Sequence, residues 1–301
     1  MRRRTALRLF SLFLATLAAA LAHAAVEVTD DTGRPLRLEH PAQRIVSLAP
    51  HITELLFAAG AGGKVVGVVA HSDYPPAAAT LPQVGTYPRV DLEAVAALKP
   101  DLVIAWKSGN RDAHLERLAA LGIPVYVNEP RSLEAVAQSL EQFGRLAGTG
   151  DVANAAAAAF RQRRAALAAR YGTRPPVRLF YQVWNQPLTT INDEQVISDA
   201  IRLCGGVNVF GGLGPLAPRI GTEAVLAANP EAIVASGMAD ARPEWLDQWK
   251  RWPDLAASAA GNLYFIPPDL IQRHTPRLLD GAERLCAQLE EVRAKRATAP
   301  R

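Results

Sequence analysis

The sequence predicts two Rossmann-like α/β lobes joined by a single long α-helix, with a ligand cleft between the lobes. Three observations predict it. Short β-branched runs alternate with helical stretches on both sides of the middle of the chain, as parallel βαβ units require. The middle itself, residues 151–171, is Ala-rich and holds no strand-like run. A 15-residue stretch of the first half returns in the second.

The elements follow in order. Arg2, Arg3, Arg4 and Arg8 precede an apolar run, 9–22, and small residues flank His23. That is the layout of an export signal cleaved after Ala24. Its 14 apolar residues fall short of the ~20 a spanning helix needs, and no Cys follows to carry a lipid. The chain has 33 Lys+Arg and 29 Asp+Glu, and removing the four arginines of the signal leaves 29 of each. A neutral mature chain excludes nucleic acid as the expected partner, and the product is expected to be periplasmic.

Residues 44–48, 65–70, 101–106 and 124–128 read as strands, and 52–59, 92–98, 111–121 and 133–146 as helices. Gly122, Gly148 and Gly150 stand where helices should stop. Asp151 is the expected cap of the middle helix, and the five alanines 155–159 favour that helix strongly. Gly172 and the pair Pro175-Pro176 end it. Strand–helix alternation then resumes at 177–184 and continues to a strand at 263–266. The division is a signal at 1–24, an N-terminal lobe at 25–148, a connecting helix at 149–174 and a C-terminal lobe at 175–301.

The repeat aligns residues 92–106 with 222–236 without gaps, and six of the 15 positions are identical, Glu93 with Glu223 and Pro100 with Pro230 among them. Each copy is a short helix, a Pro-containing turn and a buried strand, so the lobes are expected to face each other across a pseudo-dyad. The two cysteines, Cys204 and Cys286, are expected to be bridged in an exported protein.

Ligands of open α/β sheets bind beyond the carboxyl ends of the strands. Those positions are aromatic or charged here. His71 to Pro76, including Tyr74, follows one strand, and Tyr87 precedes the Glu93 helix. Trp106 ends another strand, and Trp184 ends the first strand of the second lobe. Asp269 and Arg273 follow the last. Rings of this kind from both lobes suit a large, flat, mostly apolar ligand, and Asp269 and Arg273 suit amides or a phosphate at its rim.

At these residues a resemblance becomes specific. Ser72-Asp73-Tyr74-Pro75-Pro76, the run 97–106, Leu203-Cys204-Gly205-Gly206, Thr275-Pro276-Arg277 and Leu285-Cys286 resemble the vitamin B12-binding family of ABC-importer receptors over nearly the whole mature chain. The resemblance implies two α/β lobes on one rigid helix, with a corrinoid such as cobalamin or cobinamide between them as transported ligand and no resident cofactor. It implies cleft contacts at Tyr74, Tyr87, Trp106 and Trp184, an acidic contact at Asp269 and a basic one at Arg273. It also implies a Cys204–Cys286 disulfide, and docking of a monomer on the importer through Glu93 and Glu223. The sequence departs from the family at Tyr87, where Trp is expected, at Ala217, which replaces a second-lobe Trp, and at Leu270-Ile271, which replaces an aromatic pair.

An enzyme is not expected, because no nucleophile elbow, HExxH or Walker loop occurs. A metal-ion receptor would draw on His51, His71, Asp73 and His274, but no spacing demands a metal. A haem or siderophore receptor of the same fold is the nearest alternative.

Overall fold

The computed structural model describes residues 25–237 and 241–298. The export signal read at 1–24 lies outside them. An antiparallel hairpin, β1 (Val26–Thr29) and β2 (Pro35–Leu38), comes first. The Asp30 carboxylate accepts from Thr32 N, Thr32 Oγ and Arg34 N, and Gly33 supplies the left-handed residue of the turn at φ +82°. The sequence reading did not anticipate this hairpin.

Lobe 1 is built on β3 (Ile45–Ser47), β4 (Val65–Val68), β7 (Leu102–Trp106) and β8 (Val125–Asn128), all parallel, in the order β4-β3-β7-β8. Between them lie the ribbon β5 (Gly85–Thr86) and β6 (Arg89–Val90) and the helices α1 (Pro50–Ala58), α2 (Leu92–Ala97), α3 (Asp112–Ala120) and α4 (Leu133–Ala147). The connecting helix is α5 (Gly150–Tyr171). Lobe 2 repeats the design with β9 (Val177–Gln182), β12 (Gly206–Asn208), β13 (Ala232–Ala235) and β14 (Leu263–Phe265) in the order β12-β9-β13-β14, again all parallel. Its other elements are the ribbon β10 (Trp184–Asn185) and β11 (Leu188–Thr189), then α6 (Val196–Leu203), α7 (Thr222–Ala228), α8 (Ala256–Ala259), α9 (Pro268–Ile271) and α10 (Leu278–Thr298).

The two sheets share one topology, and the sequence repeat maps onto equivalent pieces of it: α2 and β7 in lobe 1, α7 and β13 in lobe 2. The match extends to the backbone. Lys99 and Asn229 occupy the same repeat position, just before the shared Pro, and both adopt positive φ, +47° and +41°. Val95 and Val225, also equivalent, are both fully buried.

Two expectations about glycine and capping fail. Gly150 starts α5 instead of ending a helix, and Asp151 lies in the first turn without capping it; Thr149 is the N-cap residue and makes no side-chain cap. The reason lies in Gly148, which turns left-handed at φ +68° to end α4, so the chain re-enters a helix within two residues. The acid at 151 still gains from the helix dipole.

Small residues on α5 set how closely it packs. A Cβ added at Gly144 of α4 would lie 2.2 Å from Ala153 Cβ, so the alanines that favour helix also permit this approach. Arg161 and Arg164 pair with Glu134 of α4, and Arg163 pairs with Asp280 and Glu283 of α10. One helix is thereby tied to both lobes. A single core of buried side chains runs from α1 and α4 through Phe160 of α5 to α6 and α10, and each sheet carries a smaller cluster on its outer face. Cys204, after α6, is bonded to Cys286 of α10 across 82 positions. Closing a loop of that length is worth about 4 kcal/mol in the chain-entropy account.

Candidate functional site

In a sheet of this order the topological switch point falls between the first and third strands of the lobe, and ligands bind beyond their carboxyl ends. Here those are β3 and β7 in lobe 1, β9 and β13 in lobe 2. Two cavities lie there, of about 380 and 270 Å³. The larger is lined by His51, His71, Asp73, Tyr87, Trp106, Asp269, Gln272 and Arg273. The smaller is walled by Ser108, Glu129 and Arg131 of lobe 1 and by Val183, Glu194, Gln195, Ala217 and His274 of lobe 2. Trp106 and Gln272 belong to both walls, so the cavities are neighbouring parts of one cleft.

Trp106 is the centre of this arrangement, and three local features fix it. Its backbone N–H donates to Asn110 Oδ1 at 2.7 Å. The amide of Asn110 donates in turn to Leu48 O and Tyr87 O, which gathers the ends of β3 and β7 and the loop of Tyr87 onto one buried side chain. Gly109 lies flat against the indole: a Cβ there would stand 1.9 Å from the ring. Around Trp106 are Tyr87 at 5.6 Å, His51 at 5.2 Å and His274 at 6.2 Å between ring centroids. His51 of lobe 1 and His274 of lobe 2 meet at 5.1 Å. The Asn110 staple spans 62 positions to Leu48 and left no local signal in the sequence.

Asp269 and Arg273 both line the larger cavity and pair with each other, and Arg273 also crosses to the other lobe. Its guanidinium pairs with Asp269 at 3.0 Å and with Asp73 at 2.7 Å, and reaches His71 O. On the other side of the cleft Arg131 pairs with Glu194 at 2.9 Å. The carboxylate of Asp199 on α6 accepts from Leu133 N at the start of α4.

The remaining expected residues are placed differently. Tyr74 lines neither cavity; it lies at the rim with the Arg277 guanidinium 3.8 Å over its ring. Trp184 also lines neither. It stands on the β10–β11 ribbon, donates to Gln186 O and meets Trp245 edge-on, while Val183 takes the wall position. Ala217 does face the cleft, where a ring was expected, and Ile271 is buried in the core, away from the cleft. Glu93 and Glu223 are exposed in the first turns of α2 and α7. Among the described residues no group of three or more His, Cys, Asp or Glu is placed to hold a metal ion.

Burial dominates the electrostatics of the two histidines. It lowers His274 to about 4. Burial, then His274 and Arg273, push His51 well below the ordinary range. Both are therefore neutral at pH 7 in the folded chain. The unfolded chain binds protons at these sites below about pH 6.5, so stability falls as pH drops from there, for His274 until about pH 4. At ~1.4 kcal/mol per unit the loss from His274 is about 3 kcal/mol. Urea unfolding of wild type and His274→Phe at pH 7 and pH 4.5 checks this: the variant should lose markedly less stability on acidification.

Two like lobes, strapped to one helix and facing each other across a ring-lined cleft, define a bilobal solute-binding protein. The chain belongs to the periplasmic binding protein family, whose model matches residues 45–270. The vitamin B12-binding protein of Vibrio cholerae is 37% identical over 251 residues, covering 83% of this chain and 90% of that protein. The crystal structure of the periplasmic vitamin B12-binding protein of Vibrio cholerae superposes with a TM-score of 0.77 at 35% identity, covering 84% of this chain and 98% of that one. A periplasmic heme-binding protein from Pseudomonas aeruginosa superposes with a TM-score of 0.68 at 27% identity, covering 82% and 92%.

Proposed function

We propose that this chain captures a corrinoid, cobalamin or cobinamide, in the inter-lobe cleft of the periplasm and delivers it to an ABC importer. The observation that carries the reading is the cleft itself: Trp106 and Tyr87 in tilted ring contact, 5.6 Å between centroids, at a double switch point, in a chain 37% identical to a vitamin B12-binding protein. Trp106 and Tyr87 provide the apolar face, and Asp269 and Arg273 hold polar groups at the edge. Tyr74 and Trp184 flank the mouth and reach the ligand at its periphery. The signal directs export and is cleaved after Ala24, and the mature protein works as a monomer of two lobes, 25–148 and 175–301, on the helix between them.

Drug-sized ligands occupy roughly 300–1,000 Å³, and a corrinoid is larger than a drug. Neither cavity, at about 380 and 270 Å³, admits one alone. The ligand spans both and displaces side chains at their shared wall. Calorimetry should give one-to-one binding with sub-micromolar affinity, and Trp106→Ala should weaken it by about 1–3 kcal/mol. An unchanged affinity returns Trp106 to a packing role.

His71 in the cavity wall and the meeting of His51 with His274 favour haem as the second reading, since an imidazole is a haem ligand. Absorbance spectra of the purified protein with each ligand decide. Tight haem or siderophore binding with no response to any corrinoid would overturn the corrinoid reading.

A further inference from the structure

Two hydrogen-bond donors lie buried without an acceptor where the lobes meet. One is Trp106 Nε1–H, for which no described residue offers an acceptor. The other follows from a proton assignment. Gln195 Oε1 accepts from Ile197 N at 2.7 Å as the cap of α6, which turns the Gln195 amide NH₂ toward His274 Nε2 at 3.5 Å. An NH₂ group only donates, so His274 Nε2 accepts. The proton of the neutral ring is then on Nδ1, and Nδ1 has no partner among the described residues. His274 is 4% exposed, and its ring centroid is 6.2 Å from that of Trp106. A buried donor left unmade costs about 1–3 kcal/mol, so a pair of them from opposite lobes calls for an acceptor that this contact does not contain. His51 Nε2 is a third buried nitrogen without a partner among the described residues; no contact assigns its proton, so it is not counted as a donor.

We propose that Trp106 Nε1 and His274 Nδ1 form a donor subsite that opens as the ligand parts the two rings, takes one uncharged carbonyl oxygen, that of a side-chain amide, and rejects a carboxylate. The charge preference rests on the neighbours. Arg273 is already paired with Asp73 and Asp269, Arg131 with Glu194, and Arg277 with Glu54. No cation lining either cavity is left over among the described residues, and burying an unpaired carboxylate is far more costly than burying an amide that is hydrogen-bonded. Gln195 is the positioning residue: it holds the His274 proton on the atom that faces the lobe contact. The proposal rests on the corrinoid reading and deepens it, since a corrin carries amide side chains where haem carries propionates.

The test uses the mature protein, cobalamin, and the separate monocarboxylic acids formed when single propionamide side chains of cobalamin are hydrolysed. Affinities are measured by calorimetry at pH 7. Wild type should bind cobalamin and bind at least one monoacid tenfold or more weakly. His274→Phe keeps the packing and removes the donor; it should bind cobalamin about tenfold more weakly and lose that discrimination. His274→Asn, whose amide N–H stands close to the position of Nδ1, should restore both. Combining Trp106→Phe with His274→Phe should cost less than the two single effects together, because both donors serve one oxygen. Melting curves of the four variants show that each is folded. Wild-type affinity and undiminished discrimination in His274→Phe overturn the subsite while leaving the corrinoid reading intact. Failure of wild type to bind any corrinoid overturns both, and is read before any variant is made.

Discussion

Replacing Arg277 by Ala should destabilise the protein by about 3–5 kcal/mol, the range for removing one partner of a buried ion pair. Glu54, on α1, is 3% exposed, and Arg277 is 18% exposed. The guanidinium meets the carboxylate with two parallel bonds, Nε to Oε1 at 2.8 Å and Nη2 to Oε2 at 2.7 Å. Its other face covers Tyr74. One side chain of lobe 2 therefore neutralises a buried acid of lobe 1 and holds down a ring at the rim of the cleft. Without it, Glu54 is left as an uncompensated buried charge. Replacing both partners by apolar residues, Glu54→Leu with Arg277→Met, should recover most of the loss, because the desolvation of both charges disappears with them. Equilibrium urea unfolding of the two single variants and the double variant provides the cycle. A loss below about 1 kcal/mol for Arg277→Ala, the range of exposed pairs, would mean that Glu54 finds water once its partner is gone.

The same pair illustrates where the sequence stops being informative. Strand and helix positions were legible because hydrophobic periodicity acts over a few residues. β7 and β13 were found for that reason, and α5 through its alanines. The cleft was legible in outline through another short-range rule, that residues just after strand ends face the ligand. Trp106, Asp269 and Arg273 fall to that rule and meet at the cleft. Glu54 did not. In sequence it reads as an ordinary solvent-facing acid of a short helix, and its partner lies 223 positions away. Asp199 and Leu133 share that difficulty, whereas His51 and His274 were grouped only as candidates for a metal. The hairpin β1–β2 was missed because its strands, though Val26, Val28, Leu36 and Leu38 alternate with polar residues, are only four residues long, and its turn depends on one Asp side chain. Trp184 was read as the end of β9, but the strand stops at Gln182 and the chain turns into a ribbon, which points Val183 into the cleft and sends the indole to Trp245.

The bonds between the lobes also bear on how a ligand enters. Glu54–Arg277 and Asp199–Leu133 are cross-lobe contacts with little exposure at Glu54, and bending α5 would break backbone hydrogen bonds. Arg131–Glu194 is different: both partners are exposed, 53% and 65%, and such a pair is worth at most about 1 kcal/mol; in Arg273–Asp73 the acid is 56% exposed while the guanidinium is 13% exposed. Opening is thus expected to be small and confined to the loops that carry these pairs and the ring contacts of Trp106. The importer cannot then recognise the loaded state by a gross change of shape, and must read fixed points on the surface.

We propose Glu93 and Glu223 as those points: reversing both to Arg should abolish delivery of ligand to the importer while leaving affinity for the ligand and the melting temperature nearly unchanged. The two residues occupy the same repeat position, in the first turn of α2 and of α7, and both are exposed. The helix dipole favours an acid there for about 0.3–1 kcal/mol each, and that account alone would explain a carboxylate at either site. It does not explain the pair. In α2 the helix start is already capped by Asp91, which accepts from Glu93 N and Ala94 N, so Glu93 is not needed as a cap. In α7 the N-cap is Gly221 with no side chain to offer, yet the acid is the same. An element that is kept where the local need differs points to a shared external partner: a two-fold importer with a basic pocket on each half. Charge pairs of this kind govern orientation and encounter rate, so Glu93→Arg or Glu223→Arg alone should slow uptake, and the double variant should stop it. Transport into vesicles carrying the importer, measured beside calorimetry and melting of the same samples, separates the accounts. Uptake at the wild-type rate in the double variant would refute docking through these residues, and uptake lost only in step with a lowered melting temperature would leave the dipole as the sufficient reason for both.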